Sequence, residues 1–388
     1  MKILMLAPEP FFQPRGTPIS VYFRTTALTA LGHEVDLVTY PLGEDVKMAK
    51  LRIFRLSNFL RLKKIRIGPS AAKIPLDAAL TLKALGRILR SRYDLVYSHE
   101  EAAFPGVLLS RLAHIPHLYD MHSSLPQQLE NFEFTRSRLL KRLFARMERF
   151  ILRNSHSVIV ICPDLMDKVR AEGFGDKAIL IENVLDFPAP ETGPGELEHM
   201  KRELAPGGEK IILYAGNFGP YQGVSLLVEA AAYIREKAVL VLLGGSPADR
   251  AELERKAAGL GVADRVVVLD RVAPTRVPLF MKAADVLVSP RMTGTNTPLK
   301  IYSYLKSGKP LVATRLHTHT QVLNDAISVL VDPTPEAMAA GLEFAMKEPE
   351  AKKRAAAAAA LAGKEYTFAA YRDRIVRSLE MAMKNFGR

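Results

Sequence analysis

The sequence predicts an α/β protein of two halves, each built on a parallel sheet wound with helices, and three observations carry that reading. At 388 residues the chain exceeds the roughly 250–300 that a single core serves. Short, wholly apolar runs alternate with helix-length stretches along the chain, which is the rhythm of βαβ units. Between the halves, FPAPETGPGELEHMKRELAPGGEK, residues 187–210, is rich in Pro, Gly and Glu and reads as a connection carrying a short helix. The expected organisation is therefore residues 1–186, a linker over 187–209, a second half over 210–365 and a closing amphipathic helix over 366–388.

In the first half, Lys2–Ala7 is a continuous apolar run, as a strand buried on both faces should be. A loop follows, with Arg15-Gly16-Thr17-Pro18 at the mouth of a helix that Gly32-His33 ends, and Glu34–Thr39 is the next strand. The glycines are too few for a dinucleotide fingerprint. Next come a strand at Arg52–Leu56, a basic helix at Ala71–Arg92, a strand at Leu95–Ser98, a helix at Ala102–Ala113 and a strand at His117–Asp120. That last strand runs into Asp120-Met121-His122. A histidine just past a strand's carboxyl end stands where open α/β sheets bind ligands, and it can donate to a hydroxyl or phosphate oxygen; an ordinary surface histidine is the alternative. Helices at Gln127–Phe134 and Ser137–Arg153, a strand at Ser157–Ile161, a helix at Pro163–Glu172 and a strand at Ala178–Ile181 complete the half.

The second half opens on the strand Ile211–Ala215, then Gly216-Asn217-Phe218-Gly219-Pro220-Tyr221-Gln222-Gly223 and a helix from Val224. A strand at Ala238–Leu243, a helix at Ala248–Leu260, a strand at Arg265–Leu269 and a helix at Val277–Ala284 lead to the strand Ala284–Val288. After it the loop Ser289–Asn296 enters a helix predicted to begin near Thr297, with Pro298 in the first turn, where a proline costs no hydrogen bond. Gly308 stops that helix and Leu311–Thr314 is a short buried strand. A helix at Thr318–Asn324, a strand at Ile327–Val331, helices at Glu336–Lys347 and Lys352–Lys364 and an amphipathic helix through Tyr371–Met383 finish the chain. Unpaired N–H groups and the dipole at the Thr297 helix start make an anion pocket, to which Lys300, one turn in, would add a full charge. The plainer alternative is a turn capped by Thr295, Asn296 or Thr297.

Composition narrows the class. With 48% hydrophobic and 24% charged residues the chain reads as soluble and globular, and no apolar run approaches the roughly 18 residues of a membrane span. The amino-terminal apolar run is too short for a signal peptide. A single cysteine, Cys162, fits a reducing cytoplasm and reads as buried and inert. The net charge of +13 concentrates in the first half. One cluster holds Lys50, Arg52, Arg55, Arg61, Lys63, Lys64, Arg66, Lys73, Lys83, Arg87 and Arg90, interleaved with Phe54, Leu56, Phe59, Leu60 and Leu62. A second runs through Arg136, Arg138, Lys141, Arg142, Arg146, Arg149 and Arg153. Each such cation near an anionic bilayer gains about 1 kcal/mol, so an anionic membrane surface is an expected partner and the expected location is cytoplasmic, peripheral on the membrane's inner face. A solvated basic face is the alternative. Nucleic acid is not expected, because no helix-turn-helix, zinc or RNP pattern is present.

The segment PLKIYSYLKSGKPLVAT resembles the donor-binding segment of retaining glycosyltransferases of family 4, which have the GT-B fold. Gly308, Pro310, Val312, Ala313 and Thr314 match; the family's two glutamates fall at Thr295 and Ser303. Glu182-Asn183-Val184-Leu185-Asp186 is similar to the family's exit from its first domain. The resemblance implies two Rossmann-like domains facing across a cleft, with the final helix crossing back to the first. It implies a nucleotide-sugar donor, UDP- or GDP-linked, on the second domain, and a glycan or lipid-linked acceptor on the first. It further implies retention, no cofactor and no required metal, and the chain has no Asp-x-Asp.

By resemblance His122 contacts the donor sugar, and Gly16 and Thr17 lie in the loop over donor phosphates and acceptor, with Arg15 and Asp120 on the acceptor side. Arg271 and Val272 fall where the nucleobase is held. Many members carry arginine and lysine on the diphosphate where Asn217 and Gln222 stand here, which makes Arg291 and Lys300 the expected replacements. The remaining donor-side residues are Thr295, Asn296, Thr297, Pro298, Leu299 and Ser303. Two other readings stay open: a nucleotide-sugar-modifying, epimerase-like enzyme on the same fold, and a non-catalytic partner that docks on membrane or on another transferase.

Overall fold

The computed structural model describes residues 1–13, 16–65, 70, 73–127, 137–182, 193 and 195–387. Arg15, residues 128–134 of an expected helix, and residues 183–186 of the expected domain exit lie outside them. The chain divides into two compact units, Met1–Asn183 with Phe368–Arg388, and Val184–Thr367.

The first unit follows the order β1 (Lys2–Ala7), α1 (Gly16–Ala30), β2 (Glu34–Thr39), β3 (Leu51–Arg55), α2 (Lys73–Arg90), β4 (Leu95–His99), α3 (Ala103–Ala113), β5 (His117–Met121), α4 (Arg138–Asn154), β6 (Ser157–Val160), α5 (Pro163–Ala171) and β7 (Ala178–Leu180). All strand pairs are parallel, in the order β3-β2-β1-β4-β5-β6-β7. The order reverses between β1 and β4, so the loops leaving those two strands flank the place where doubly wound sheets bind ligands. Ile3, Leu4, Met5, Leu6 and Ala7 are buried completely, which is why this strand reads apolar at every position; each such Leu or Ile contributes about 1.5–3 kcal/mol.

The second unit runs α6 (Glu196–Leu204), β8 (Lys210–Ala215), α7 (Val224–Ala231), β9 (Ala238–Gly245), α8 (Pro247–Gly259), β10 (Val266–Asp270), α9 (Val277–Ala283), β11 (Val286–Ser289), α10 (Lys300–Lys306), β12 (Leu311–Thr314), α11 (His317–Thr320), β13 (Val329–Val331), α12 (Pro335–Lys347) and α13 (Pro349–Glu365). Its sheet is also parallel, ordered β10-β9-β8-β11-β12-β13, with the reversal between β8 and β11. Helix α8 shows how local sequence sets an end: the Ser246 hydroxyl accepts from the Asp249 N–H, the Asp249 carboxylate accepts from the Ser246 N–H, and Pro247 occupies the first helical position. The helix expected over Thr318–Asn324 runs only over His317–Thr320; irregular turns follow it, and Asn324 then accepts from Ala326, Ile327 and Ser328. Strand β13 accordingly pairs only from Val329.

The chain then returns to the first unit. Helix α14 (Phe368–Phe386) buries Tyr371, Ile375, Leu379 and Ala382, one stripe at helical spacing, and packs on α1, β5, β6 and β7.

The basic stretch is partly neutralised from within. Arg52 and Arg87 donate to the buried Asp36 at 2.6 and 3.1 Å, together with the Tyr93 hydroxyl at 2.6 Å. Arg55 pairs with Asp45 and Lys73 with Glu101. These four cations stand against carboxylates rather than making a free basic face.

Candidate functional site

At the reversal in the second sheet, the loops after β8 and β11 meet. Gly223 makes the meeting possible: its φ is +71°, and a Cβ there would lie 2.1 Å from the Pro290 carbonyl oxygen. Gly216 leaves room for the Lys300 ammonium, which a Cβ would approach to 2.6 Å. That ammonium sits 3.7 Å from the centre of the Tyr214 ring and 3.4 Å from Gln222 Oε1. The Tyr214 hydroxyl donates to the Asn217 carbonyl at 2.7 Å and stands 3.3 Å from the same Gln222 oxygen. Arg291 lies over the Tyr221 ring and donates to the carbonyls of Thr293 and Asn296.

Burial, then the neighbouring Arg291, lowers the Lys300 pKa well below 10.5; burial lowers Arg291 as well. Among the described residues no carboxylate pairs with either. Two cations crowded together with no counter-ion among the described residues, each against an aromatic face, form a site arranged for an anion. The Thr297 hydroxyl, on a residue 6% exposed, has no hydrogen-bond partner among the described residues.

The helix expected to begin near Thr297 begins at Lys300, which is its first residue rather than one turn in. The cause is the loop's carbonyls: Thr295 O accepts from Gln321, and Asn296 O from Thr318 and Arg291. That holds 295–297 out of the helix, so none of the three caps it. Pro298 and Leu299 form the lead-in, with Ile301 N donating to Pro298 O. The Ser303 hydroxyl turns back to the Lys300 carbonyl at 2.9 Å. Behind the loop, burial lowers the His319 pKa to about 4, so the neutral ring donates through Nδ1 to Thr314 O and accepts at Nε2 from Ser289. Arg271, exposed, and Val272 follow β10 at the sheet edge, two strands from the reversal.

In the first unit His122 is buried at the end of β5. Its Nε2 is 3.2 Å from Asp120 Oδ1 and 3.1 Å from His99 Nδ1. Asp120 is fully buried and receives Arg24 at 2.7 Å and the Tyr97 hydroxyl at 2.6 Å. Burial pushes its carboxyl up, but Arg24 and His122 outweigh that and hold it well below 3.8. Asp120 therefore stands behind His122, its oxygens taken by Arg24, Tyr97 and His122. Burial takes His99 down to about 3, keeping it neutral. Gly16 and Thr17 open α1, and Gly16, at φ +47°, has open space where a Cβ would point. Glu100, also at a positive φ of 50°, accepts from Ser123 beside this cluster, and burial raises its pKa to about 7.

His99, Asp120 and His122 are the one group among the described residues with metal-ligand spacing. The Arg24 guanidinium on Asp120 opposes a cation there, and the three residues read as a hydrogen-bonded network. Sequence reasoning missed Arg24, Tyr97 and His99. His99 carried the same signal as His122, a histidine at a strand's carboxyl end. A cavity of about 680 Å³ at the other edge of this sheet is lined by Arg111, Arg153 and Lys177, but Lys177 is spent on the Arg153 and Ser155 carbonyls.

Comparison with known proteins agrees with this layout. Residues 24–183 match the family model described as "Glycosyl transferase 4-like domain" and residues 196–361 the one described as "Glycosyl transferases group 1". The phosphatidyl-myo-inositol mannosyltransferase of Mycobacterium leprae is 24% identical over 393 residues, covering 98% of this chain and 96% of the relative. Among solved structures, HepE of Anabaena in complex with UDP superposes with a TM-score of 0.74 at 19% identity, over 98% of this chain and all of that one. Sucrose-phosphate synthase of Thermosynechococcus elongatus gives 0.77 at 19% identity, over 98% of each. With both halves matched and the two sheets in this order, the chain belongs to the family 4 glycosyltransferases of GT-B fold.

Proposed function

We propose that the protein moves a sugar, with retention, from a UDP- or GDP-sugar to a hydroxyl of a glycan or lipid-linked acceptor. The second unit holds the donor diphosphate and the first unit holds the acceptor. The observation that carries this is the pair Lys300 and Arg291, crowded together with no carboxylate partner among the described residues. Lys300 stands against Gln222, the position where the resemblance places a lysine, so the charge on the diphosphate would come from another part of the chain. As the C1–O bond to the diphosphate breaks, its electron pair moves onto the phosphate oxygens, where two fixed cations stabilise it without reorganisation. His122, oriented by Asp120 and His99, contacts a sugar hydroxyl through its other ring nitrogen. The UDP complex of HepE and the lipid named for the mycobacterial relative support the two substrate classes.

The expected result is that UDP or GDP binds by calorimetry, that the matching nucleotide-sugar is consumed, and that the product's anomeric configuration by NMR equals the donor's. Absence of binding of both diphosphates at millimolar concentration would defeat the reading. An epimerised donor in the absence of acceptor would move it to a sugar-modifying enzyme on the same fold.

Exposed apolar side chains favour a lipid surface on the acceptor side. Ile74, Leu82 and Leu89 of α2 and Leu139 of α4 are 69–77% exposed, among Lys83, Arg90, Lys141 and Arg142. Such a face inserts leucines shallowly while Arg90, Lys141 and Arg142 meet anionic headgroups, Lys83 being turned to the Arg55 carbonyl. The protein should cosediment with phosphatidylglycerol vesicles at low salt, not with phosphatidylcholine vesicles, and Leu82→Ser with Leu89→Ser should release it. Equal sedimentation of this double variant would remove α2 from the surface.

A further inference from the structure

We propose that the closing helix α14 is part of the site machinery: Tyr371 holds the Arg24 guanidinium that fixes Asp120, and through Asp120 it positions His122. The inference rests on the reading of His122 as the acceptor-unit site residue, and makes Arg24, Tyr97 and Tyr371 positioning residues for it.

Arg24 lies on the buried face of α1 and is 0% exposed. Its Nε donates to Asp120 Oδ2 at 2.7 Å, and its Nη2 donates to the Ile181 carbonyl at 3.1 Å, just past the last strand of the sheet. The guanidinium lies 5.0 Å from the centre of the Tyr371 ring, which α14 presents from its first turns. Asp120 is thus clamped by Arg24 Nε and the Tyr97 hydroxyl on Oδ2, while Oδ1 meets His122 at 3.2 Å and Arg24 Nη2 at 3.5 Å. A fully buried ion pair is a weak source of stability, since well-packed apolar residues of similar volume generally serve as well or better. What this one supplies is a carboxylate that stays charged and fixed in direction, directly behind a histidine at the sheet's carboxyl edge. The ring over Arg24 restrains the cation without competing for Asp120, since an aromatic face offers no carboxylate. The last segment of the chain therefore reaches the site through three contacts in series.

The test uses the full chain. Tyr97→Phe removes one donor to Asp120 and keeps the ring; Tyr371→Leu removes the aromatic face and keeps apolar bulk; Tyr371→Phe restores the face. Two readouts are taken on variants whose circular dichroism matches the parent. The first is steady-state transfer. Tyr371→Leu and Tyr97→Phe are expected to lower kcat about tenfold with donor KM unchanged, and Tyr371→Phe to recover most of the turnover. The second is the ring nitrogen and carbon signals of His122, assigned by their loss in His122→Ala and read without substrate. They should move in Tyr371→Leu and Tyr97→Phe and return in Tyr371→Phe. Unmoved His122 signals with unchanged kcat in Tyr97→Phe, which preserves packing, would overturn the proposal and leave the transferase reading standing. Moved signals in a protein that turns over no nucleotide-sugar would uphold the network and remove the transferase reading instead.

Discussion

Lys300→Met is expected to weaken binding of the nucleoside diphosphate by roughly 10- to 150-fold while leaving the free nucleoside almost unaffected. The figure follows from a charge-assisted hydrogen bond of about 1.5–3 kcal/mol, and the selectivity from where the charge sits. Lys300 is surrounded by Tyr214, Gln222, Gly216 and Arg291, none of which competes with a phosphate for its protons as a carboxylate would. The same substitution should stabilise the empty protein, because it removes a crowded, unpaired cation and leaves a methionine against the tyrosine ring. Titration calorimetry with UDP, GDP and their nucleosides, alongside thermal unfolding of the unliganded protein, checks both halves. Equal weakening of diphosphate and nucleoside would take Lys300 out of the phosphate site.

The pH dependence has a definite sign. Because Lys300 has a folded-state pKa below its ordinary 10.5, it costs stability at low pH, and that cost is relieved as pH rises from the lowered value towards 10.5. A bound diphosphate acts oppositely by favouring the ammonium form. Binding in that window should therefore take up a proton, seen as a dependence of the measured heat on the buffer's ionisation enthalpy. Lys300→Met should abolish that dependence.

The fold was legible because buried parallel strands declare themselves: β1 is apolar at every position from Ile3 to Ala7, and the Pro- and Gly-rich linker separates two such series. Element ends were less legible because tertiary bonds decide them. Thr297-Pro298 reads as a helix start, yet Gln321, Thr318 and Arg291 hold the preceding carbonyls and delay the helix to Lys300. The site divided in the same way. His122 was visible from its place after a strand, and Lys300 from a charge missing at Gln222, although 78 positions separate those two residues. Arg24 was not visible. It sits in an unremarkable helix, GTPISVYFRTTALTA, and only the partner 96 positions away reveals why a guanidinium is buried there. Periodicity reports which face a residue occupies, not which distant side chain it meets.

That distant pairing gives the largest expected change in stability. Asp120→Asn strands the Arg24 cation in a fully buried position, where losing one partner of an ion pair costs about 3–5 kcal/mol. For a unit of this size that lowers Tm by about 6–20 °C, and His122 loses the charged acceptor at its Nε2, so transfer should fall as well. Replacing both partners together, Arg24→Met with Asp120→Leu, should recover most of the stability and none of the transfer, because apolar groups of similar volume leave no uncompensated charge. Acid separates the variants further. The folded-state pKa of Asp120 is depressed below 3.8, so its contribution is fully present above 3.8 and disappears as pH falls from there towards the folded value. The parent's Tm should therefore drop through that range more steeply than the double variant's. An unchanged Tm in Asp120→Asn would mean that Arg24 finds another acceptor, and the carboxylate behind His122 would lose its structural claim on the site.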